Sequence, residues 1–158
     1  MRVIGIDPGT DRVGVGIVEY RKNSFRYVAS SVLLFKKSPD AGKNLLALER
    51  ALSREIKKHR PEAAGVELLF FSKNKKTALA VSEARGVILK AVAEAGIPCI
   101  NITPAEAKLS VTGSGSAGKR LVARMVGKFV KKELGGRLDD ETDALAIAIA
   151  AAFRARGL

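Results

Sequence analysis

The chain has 158 residues, which is enough for one folded domain with a substantial core and too few for two. Its 47% apolar content excludes a disordered chain, and its single cysteine, Cys99, excludes an intramolecular disulfide or a multi-cysteine zinc site. Lys and Arg number 28 against 16 Asp and Glu, a formal charge of +12, which favours a polyanionic partner such as nucleic acid.

The N-terminal sequence opens directly on an apolar strand, with no secretory signal. No apolar run of about 18 residues could span a bilayer. We therefore expect a cytoplasmic protein. The only histidine, His59, lies in a lysine-rich helical stretch, so catalysis by histidine is not expected.

Three strands are predicted over residues 2–35. RVIGID is a short apolar run, VGVGIVEY alternates after a Pro-Gly turn, and FRYVASSVLLF follows a second turn. Short turns between successive strands predict an antiparallel meander.

Helical and strand patterns alternate after residue 40. A helix is predicted over residues 40–60, ended by Pro61, and a buried strand over AAGVELLFF. A second long helix, 74–95, precedes the strand IPCINI. Its predicted apolar side comprises Leu79, Val81, Ala84, Ile88, Ala91 and Val92.

The C-terminal third of the chain is predicted to be helical. Thr103 to Glu106 matches a capping box with proline at the first helical position. A basic amphipathic helix, about 119–133, and an alanine-rich helix, about 140–155, follow. This order predicts an α/β fold, with a mixed sheet covered by helices.

Two acidic residues lie at unexpected places in predicted core strands. Asp7 ends the first strand, where it could simply cap the Pro-Gly turn, or bind a partner. Glu67 lies inside AAGVELLFF, where a glutamate needs either a buried salt bridge or a metal ion.

Two further acids, Asp140 and Asp143, lie one turn apart on one face of the last helix. Acids in a first helical turn complement the helix dipole, but Asp143 leads into an almost wholly apolar helix. Four such carboxylates, without histidine or cysteine, favour hard cations such as Mg²⁺ or Mn²⁺. On a basic protein, two such ions suit phosphodiester hydrolysis.

The stretch GSGSAGKR, residues 113–120, imitates a nucleotide-binding loop. Such a loop must follow a strand, whereas this stretch is predicted to join two helices, and Arg120 replaces the hydroxyl that would hold magnesium. The glycines, Lys119 and Arg120 at a helix start instead predict contact with DNA phosphate.

Five co-linear segments carry a family resemblance: IGIDPGT, VELLFFSKN, ALAVSEARGV, VTGSGSAGK and DETDALAIAI. Together they resemble the RuvC family of bacterial Holliday junction resolvases. The resemblance implies one RNase H-like nuclease domain over residues 1–158, with a mixed five-stranded sheet, working as a homodimer. It also implies Mg²⁺, two ions per active site with Mn²⁺ as a substitute, symmetric cleavage of two strands of like polarity, and the RuvA–RuvB complex as a partner.

The resemblance also implies residue roles. The catalytic and metal-binding acids correspond to Asp7, Glu67, Asp140 and Asp143. Phe70 corresponds to a residue that stacks on unpaired bases, although plain core packing is its alternative, and Phe71 is the better core candidate. The expected DNA-binding residues are Phe70, Lys73, Lys108, Lys119 and Arg120.

Helix 74–95, with Gly86 at its middle, is the candidate dimer interface, although intramolecular packing explains a small residue equally well.

Three other functions compete with junction cleavage. An actin-like or sugar-kinase ATPase shares the opening motif but needs two domains. A junction-binding protein without catalysis has no need of the carboxylates, and a ribosomal-RNA-maturing RNase H-like nuclease would not be expected to have the FFSKN and GSGSAGK segments.

Overall fold

The computed structural model describes residues 1–68, 75–134 and 139–157. Within these ranges the strands are β1 (Arg2–Asp7), β2 (Arg12–Arg21), β3 (Ser24–Leu34), β4 (Ala63–Glu67) and β5 (Cys99–Ile102). The helices are α1 (Ala41–His59), α2 (Lys75–Glu94), α3 (Pro104–Thr112), α4 (Lys119–Val130) and α5 (Asp139–Ala155).

The five strands form one mixed sheet in the order β3-β2-β1-β4-β5. β1, β2 and β3 pair antiparallel, which confirms the predicted meander, while β4 is parallel to both β1 and β5. Because parallel strands end at the same edge of a sheet, the last residues of β1 and β4 lie next to one another.

Helices cover both faces of the sheet. Alternate residues of the strands point to opposite faces, so Ile4 packs in a cluster with α1 and α2, while Val3 packs with α3, α4 and α5. α1 covers its side with an apolar stripe of Leu48, Leu52 and Ile56, whereas α5 is buried all round from Ala144 to Ala152. The result is the three-layered α/β arrangement that the periodicity predicted in outline.

α5 lies unusually close to the sheet because the strands beneath it carry glycine. A Cβ atom at Gly5 would overlap the carbonyl oxygen of Ala144, and one at Gly14 would overlap that of Asp140. The glycines that interrupt the alternating pattern of β1 and β2 therefore provide room for the backbone of α5. This close approach brings the first turn of α5 to the edge where β1 ends.

Several local predictions are confirmed, and two need correction. The capping box of α3 is present, with the Glu106 amide donating to Thr103 Oγ1 at 3.1 Å. The predicted strand AAGVELLFF ends at Glu67, and its residues 69–71 lie outside the described residues. Leu79 was expected on the buried side of α2 but is 71% exposed, because the buried stripe of this helix is formed further along, by Ala84, Ile88, Ala91 and Val92.

No helix in the described part of the chain combines the length and the apolar character needed to cross a membrane.

Candidate active site

Asp7 and Glu67 are held side by side at the end of the sheet. Asp7 is the last residue of β1 and Glu67 the last of β4, and the preceding residues Ile6 and Val66 are register partners. Their side chains share a hydrogen bond. Two carboxyl groups that share a hydrogen bond must hold a proton between them, so this pair binds either a proton or a cation that replaces it.

α5 brings the other two carboxylates to the same edge. Asp7 is the register partner of Gly14, and the backbone of Asp140 packs against that glycine. The Oδ2 atom of Asp140 lies 2.7 Å from Nε of Arg12, and Asp143 follows one turn later. The four predicted acids are therefore brought together by three different elements.

The cluster is strongly coupled electrostatically. Burial, and after it the charges of Glu67, Asp143 and Asp140, together raise the pKa of Asp7 to about 8. Burial also raises the pKa of Glu67, while its hydrogen bond with Asp7 and the charge of Lys108 act in the opposite direction. The pKa of Asp143 is raised by burial, and Lys119 counteracts that rise.

Two of the predicted DNA-binding lysines lie at this cluster. Lys108 from α3 and Lys119 from α4 line a cleft of about 160 Å³ together with Glu67 and Asp143. Lys119 Nζ lies 2.9 Å from Oδ2 of Asp139, and this hydrogen bond raises the pKa of the lysine. Positive side chains at the mouth of an acidic cleft can hold a phosphate close to the carboxylates.

The other predicted DNA contacts are placed differently. Arg120, the second residue of α4, is exposed and does not line the cleft. Phe70 and Lys73 lie outside the described residues, so their roles stay predictions. Residues 113–118 join α3 to α4, as expected of a loop that is not a nucleotide site, and α4 begins without a side-chain cap at Gly118.

Two arginines that support the cluster were not predicted. Arg12 pairs with Asp140, and Arg85 in α2 donates from Nε to the carbonyl oxygen of Glu67 at 3.1 Å. A single sequence signals neither contact, because both partners are far apart along the chain. The only available hint was a charged residue, Arg85, directly after the buried Ala84.

The donor set fits a hard divalent cation by its chemistry. All four side chains offer carboxylate oxygens, and a cation would relieve the repulsion that raises the pKa of Asp7. Asp140 Oδ2 is buried without a hydrogen-bond partner, although it faces Arg12. Within the ranges that the structure describes, no group of three or more His, Cys, Asp or Glu side chains is already arranged to hold a metal ion.

The sheet order and the acidic cluster at its edge define an α/β protein of the RNase H-like class. A family model described as crossover junction endodeoxyribonuclease RuvC matches residues 3–151. The chain therefore belongs to the RuvC family and is a nuclease, as the resemblance implied. RuvC-family nucleases depend on divalent metal.

Named relatives agree with this assignment. The chain is 43% identical over 149 residues to the crossover junction endodeoxyribonuclease RuvC of Moorella thermoacetica, covering 94% of this chain and 89% of the relative. It is 42% identical over 149 residues to the protein of the same name from Fusobacterium nucleatum, covering 94% and 78%.

A solved structure of Thermus thermophilus RuvC in complex with a Holliday junction substrate superposes with a TM-score of 0.92 at 33% identity, covering 99% of this chain and 96% of that one. The yeast mitochondrial Holliday junction resolvase Ydc2 matches with a TM-score of 0.68 at 15% identity, covering 94% of this chain and 76% of that one, and shares the fold.

Proposed function

We propose that this chain resolves Holliday junctions by metal-dependent hydrolysis of two strands of like polarity, with Asp7, Glu67, Asp140 and Asp143 as the catalytic acids. The observation that carries this assignment is the meeting of all four carboxylates with Lys108 and Lys119 at one sheet edge. Residues 1–158 act as a single nuclease domain in the cytoplasm.

The carboxylates would hold two Mg²⁺ ions, with Mn²⁺ as a substitute. Such ions supply an activated water and neutralise charge on the leaving oxygen. Asp7 must lose its proton for this, because its hydrogen bond to Glu67 occupies oxygens that a cation needs. Burial raises the pKa of Glu67 and of Asp143, and the charge of Lys108 opposes that rise in both acids, which favours the ionised form that binds a cation.

The lysines and the carboxylates have complementary tasks. Lys119 stands at the start of α4, where its charge and the free amides of the helix both attract an anion. Lys108 contacts the same cleft from α3. Together they would hold the phosphate of the cut strand over the acidic cluster, with Arg120 contacting the neighbouring backbone.

The decisive experiment compares a labelled four-way junction with a linear duplex of the same sequence, each with Mg²⁺ and with EDTA. We expect cleavage of the junction alone, in Mg²⁺ alone, at paired positions on strands of like polarity. Equal cleavage of both substrates, or activity in EDTA, would overturn the proposal.

Base stacking at the opened junction centre is assigned to Phe70, since any base offers a π-face to an aromatic ring. Phe70→Ala should weaken junction cleavage while leaving thermal stability near that of the wild type. Phe71→Ala is the matched control and should chiefly lower stability. The reverse pattern would assign the stacking to Phe71.

The proposed dimer uses the outer face of α2. Gly86 is exposed with no atom within 4 Å of the position a Cβ would take, and the exposed Leu79 lies two turns earlier on the same face. A second copy seated here would bury both, and a two-fold dimer presents one acidic cluster to each of two equivalent junction strands. Leu79→Glu should shift sedimentation toward the monomer, whereas Leu109→Glu, at an exposed leucine of α3, should not.

The RuvA–RuvB branch-migration complex is a further expected partner, which rests on the family resemblance. Co-sedimentation on a junction with and without RuvA and RuvB tests it.

A further inference from the structure

The outer face of α4 carries a row of cations that begins at Arg120 and continues away from the proposed active site. Arg120, Arg124 and Lys128 recur at four-residue spacing, so they lie along one face of the helix. All three are exposed, while Val122, Val126 and Val130 bury the opposite face. We call Arg120, Arg124, Lys128 and Lys131 the α4 stripe.

Unlike Lys119 or Lys90, the α4 stripe has no acidic partner in the part of the chain that the structure describes. Within residues 1–68, 75–134 and 139–157, no carboxylate forms an ion pair with any of its members. At its far end Arg124, Lys128, Lys131 and Lys132 line an open groove of about 590 Å³. Glu133 is the acidic residue among the lining side chains.

The helix dipole explains only some of the cations in the α4 stripe. Cations near the C-terminus of a helix complement its dipole, which accounts for Lys128 and Lys131. The same dipole disfavours Arg120 in the first turn and gains nothing from Arg124 in the middle. A row of unpaired cations that opposes the dipole at one end indicates an external anion along its whole length.

The stripe is continuous with the proposed site. It begins next to Lys119, which lines the acidic cleft, and Arg120 to Lys128 spans ~12 Å at ~1.5 Å per residue. On each strand of duplex DNA, phosphates recur every ~3.4 Å measured along the helix axis, so a stripe of this length lying parallel to that axis matches three to four of them.

We propose that the α4 stripe binds the phosphate backbone of the duplex arm that leaves the cleavage site, at phosphates within about five base pairs of the cut. Arg124 and Lys128 are then positioning contacts that read no sequence. This inference rests on the proposed function, because it takes junction DNA as the substrate.

A matched pair of double variants tests the proposal. Arg124→Gln with Lys128→Gln removes two charges from α4. Arg50→Gln with Arg54→Gln removes two exposed charges at the same spacing from α1, on the opposite face of the sheet. Both lower the net charge equally, so a difference between them reports the location of the charge.

Junction binding is measured as a function of salt, in Ca²⁺ to prevent cleavage. We expect the α4 double variant to lose roughly 10-fold in affinity at moderate salt, and the slope of log K against log salt to fall by about 2. The α1 double variant should keep the wild-type slope. Arg124→Lys with Lys128→Arg, which conserves charge, should bind like the wild type.

A second readout locates the contact. Neutral methylphosphonates placed about two to four base pairs from the cut should weaken wild-type binding and leave the α4 double variant unaffected. Equal behaviour of the α4 and α1 variants, or equal sensitivity of wild type and α4 variant to methylphosphonates, would overturn the α4 assignment. Failure of the wild type to prefer the junction would instead overturn the proposed function.

Discussion

Arg85 in α2 donates a hydrogen bond from Nε to the main-chain carbonyl oxygen of Glu67, at 3.1 Å. Its Nη2 atom also donates to Oδ1 of Asn101, at 2.6 Å, next to the end of β5. One guanidinium therefore joins a helix to two strand ends, immediately behind a predicted catalytic carboxylate. This contact fixes the point where the chain leaves β4.

Removing that contact should impair catalysis more than stability. Arg85→Met should lower the junction cleavage rate by ~10-fold or more, because Glu67 loses its support, and the free energy of unfolding by about 1 to 3 kcal/mol. Arg85→Lys should recover part of the rate. Arg154→Met is the control, since Arg154 donates to the carbonyl oxygen of Asn101 at 2.9 Å and not to Glu67. Equal rates for the Arg85 and Arg154 variants would contradict a positioning role.

Asp7→Asn should abolish cleavage and yet stabilise the fold at neutral pH. The pKa of Asp7 is raised to about 8, so between pH ~4 and 8 the folded state holds a proton that the unfolded state has released. Wild-type stability must therefore fall as pH rises through that window. The asparagine variant does not titrate there, and should be about 1 to 3 kcal/mol more stable than wild type at pH 8.

Urea unfolding in EDTA at pH 5 and pH 8 measures this difference, with added Mg²⁺ as a further condition. Asp11→Asn is the control, because Asp11 is exposed in the same turn and pairs with Lys36 at 2.9 Å. If the difference in free energy of unfolding between wild type and Asp7→Asn stayed constant from pH 5 to 8, Asp7 would not be held protonated in the folded state.

Two aspartates of the same helical turn should behave differently. Asp143→Asn should lower junction cleavage by at least ~100-fold, since it removes a carboxylate from the cleft. Asp139→Asn should leave junction cleavage unchanged, because Asp139 is exposed and pairs with Lys119. Single-turnover cleavage assays compare the two, and a comparable loss in both would place Asp139 in the catalytic group.

Gly14→Ala should destabilise the protein by about 3 kcal/mol or more, because the new Cβ would overlap the carbonyl oxygen of Asp140. The fraction of Gly14→Ala protein that still folds should cleave junctions poorly, because α5 must shift away from β2. Gly86→Ala is the matched control in an open helical position, and should raise monomer stability by about 0.5 to 1 kcal/mol. Thermal unfolding and cleavage rates of the two variants check this.

Much of the site could be predicted from the sequence because its acids break local rules. Glu67 in an apolar strand and Asp143 ahead of an apolar helix are each costly without a partner, so each indicates a shared site. Arg12 and Arg85 break no such rule, since surface arginines are ordinary. Their roles depend on partners far along the chain, which only the folded structure brings near.

By itself the sequence predicted the elements, the mixed α/β sheet and the four candidate acids, because periodicity, capping and rare buried charges are local properties, and its five co-linear motifs carried the family resemblance. Tertiary structure alone decided that Asp7 lies against Glu67, that the glycines of β1 and β2 admit α5, and that the cations of α4 form one row without an acidic partner among the described residues. Those features depend on distances of a few ångströms between segments that are far apart in sequence. Side-chain packing in the folded protein sets such distances, and the local sequence pattern does not.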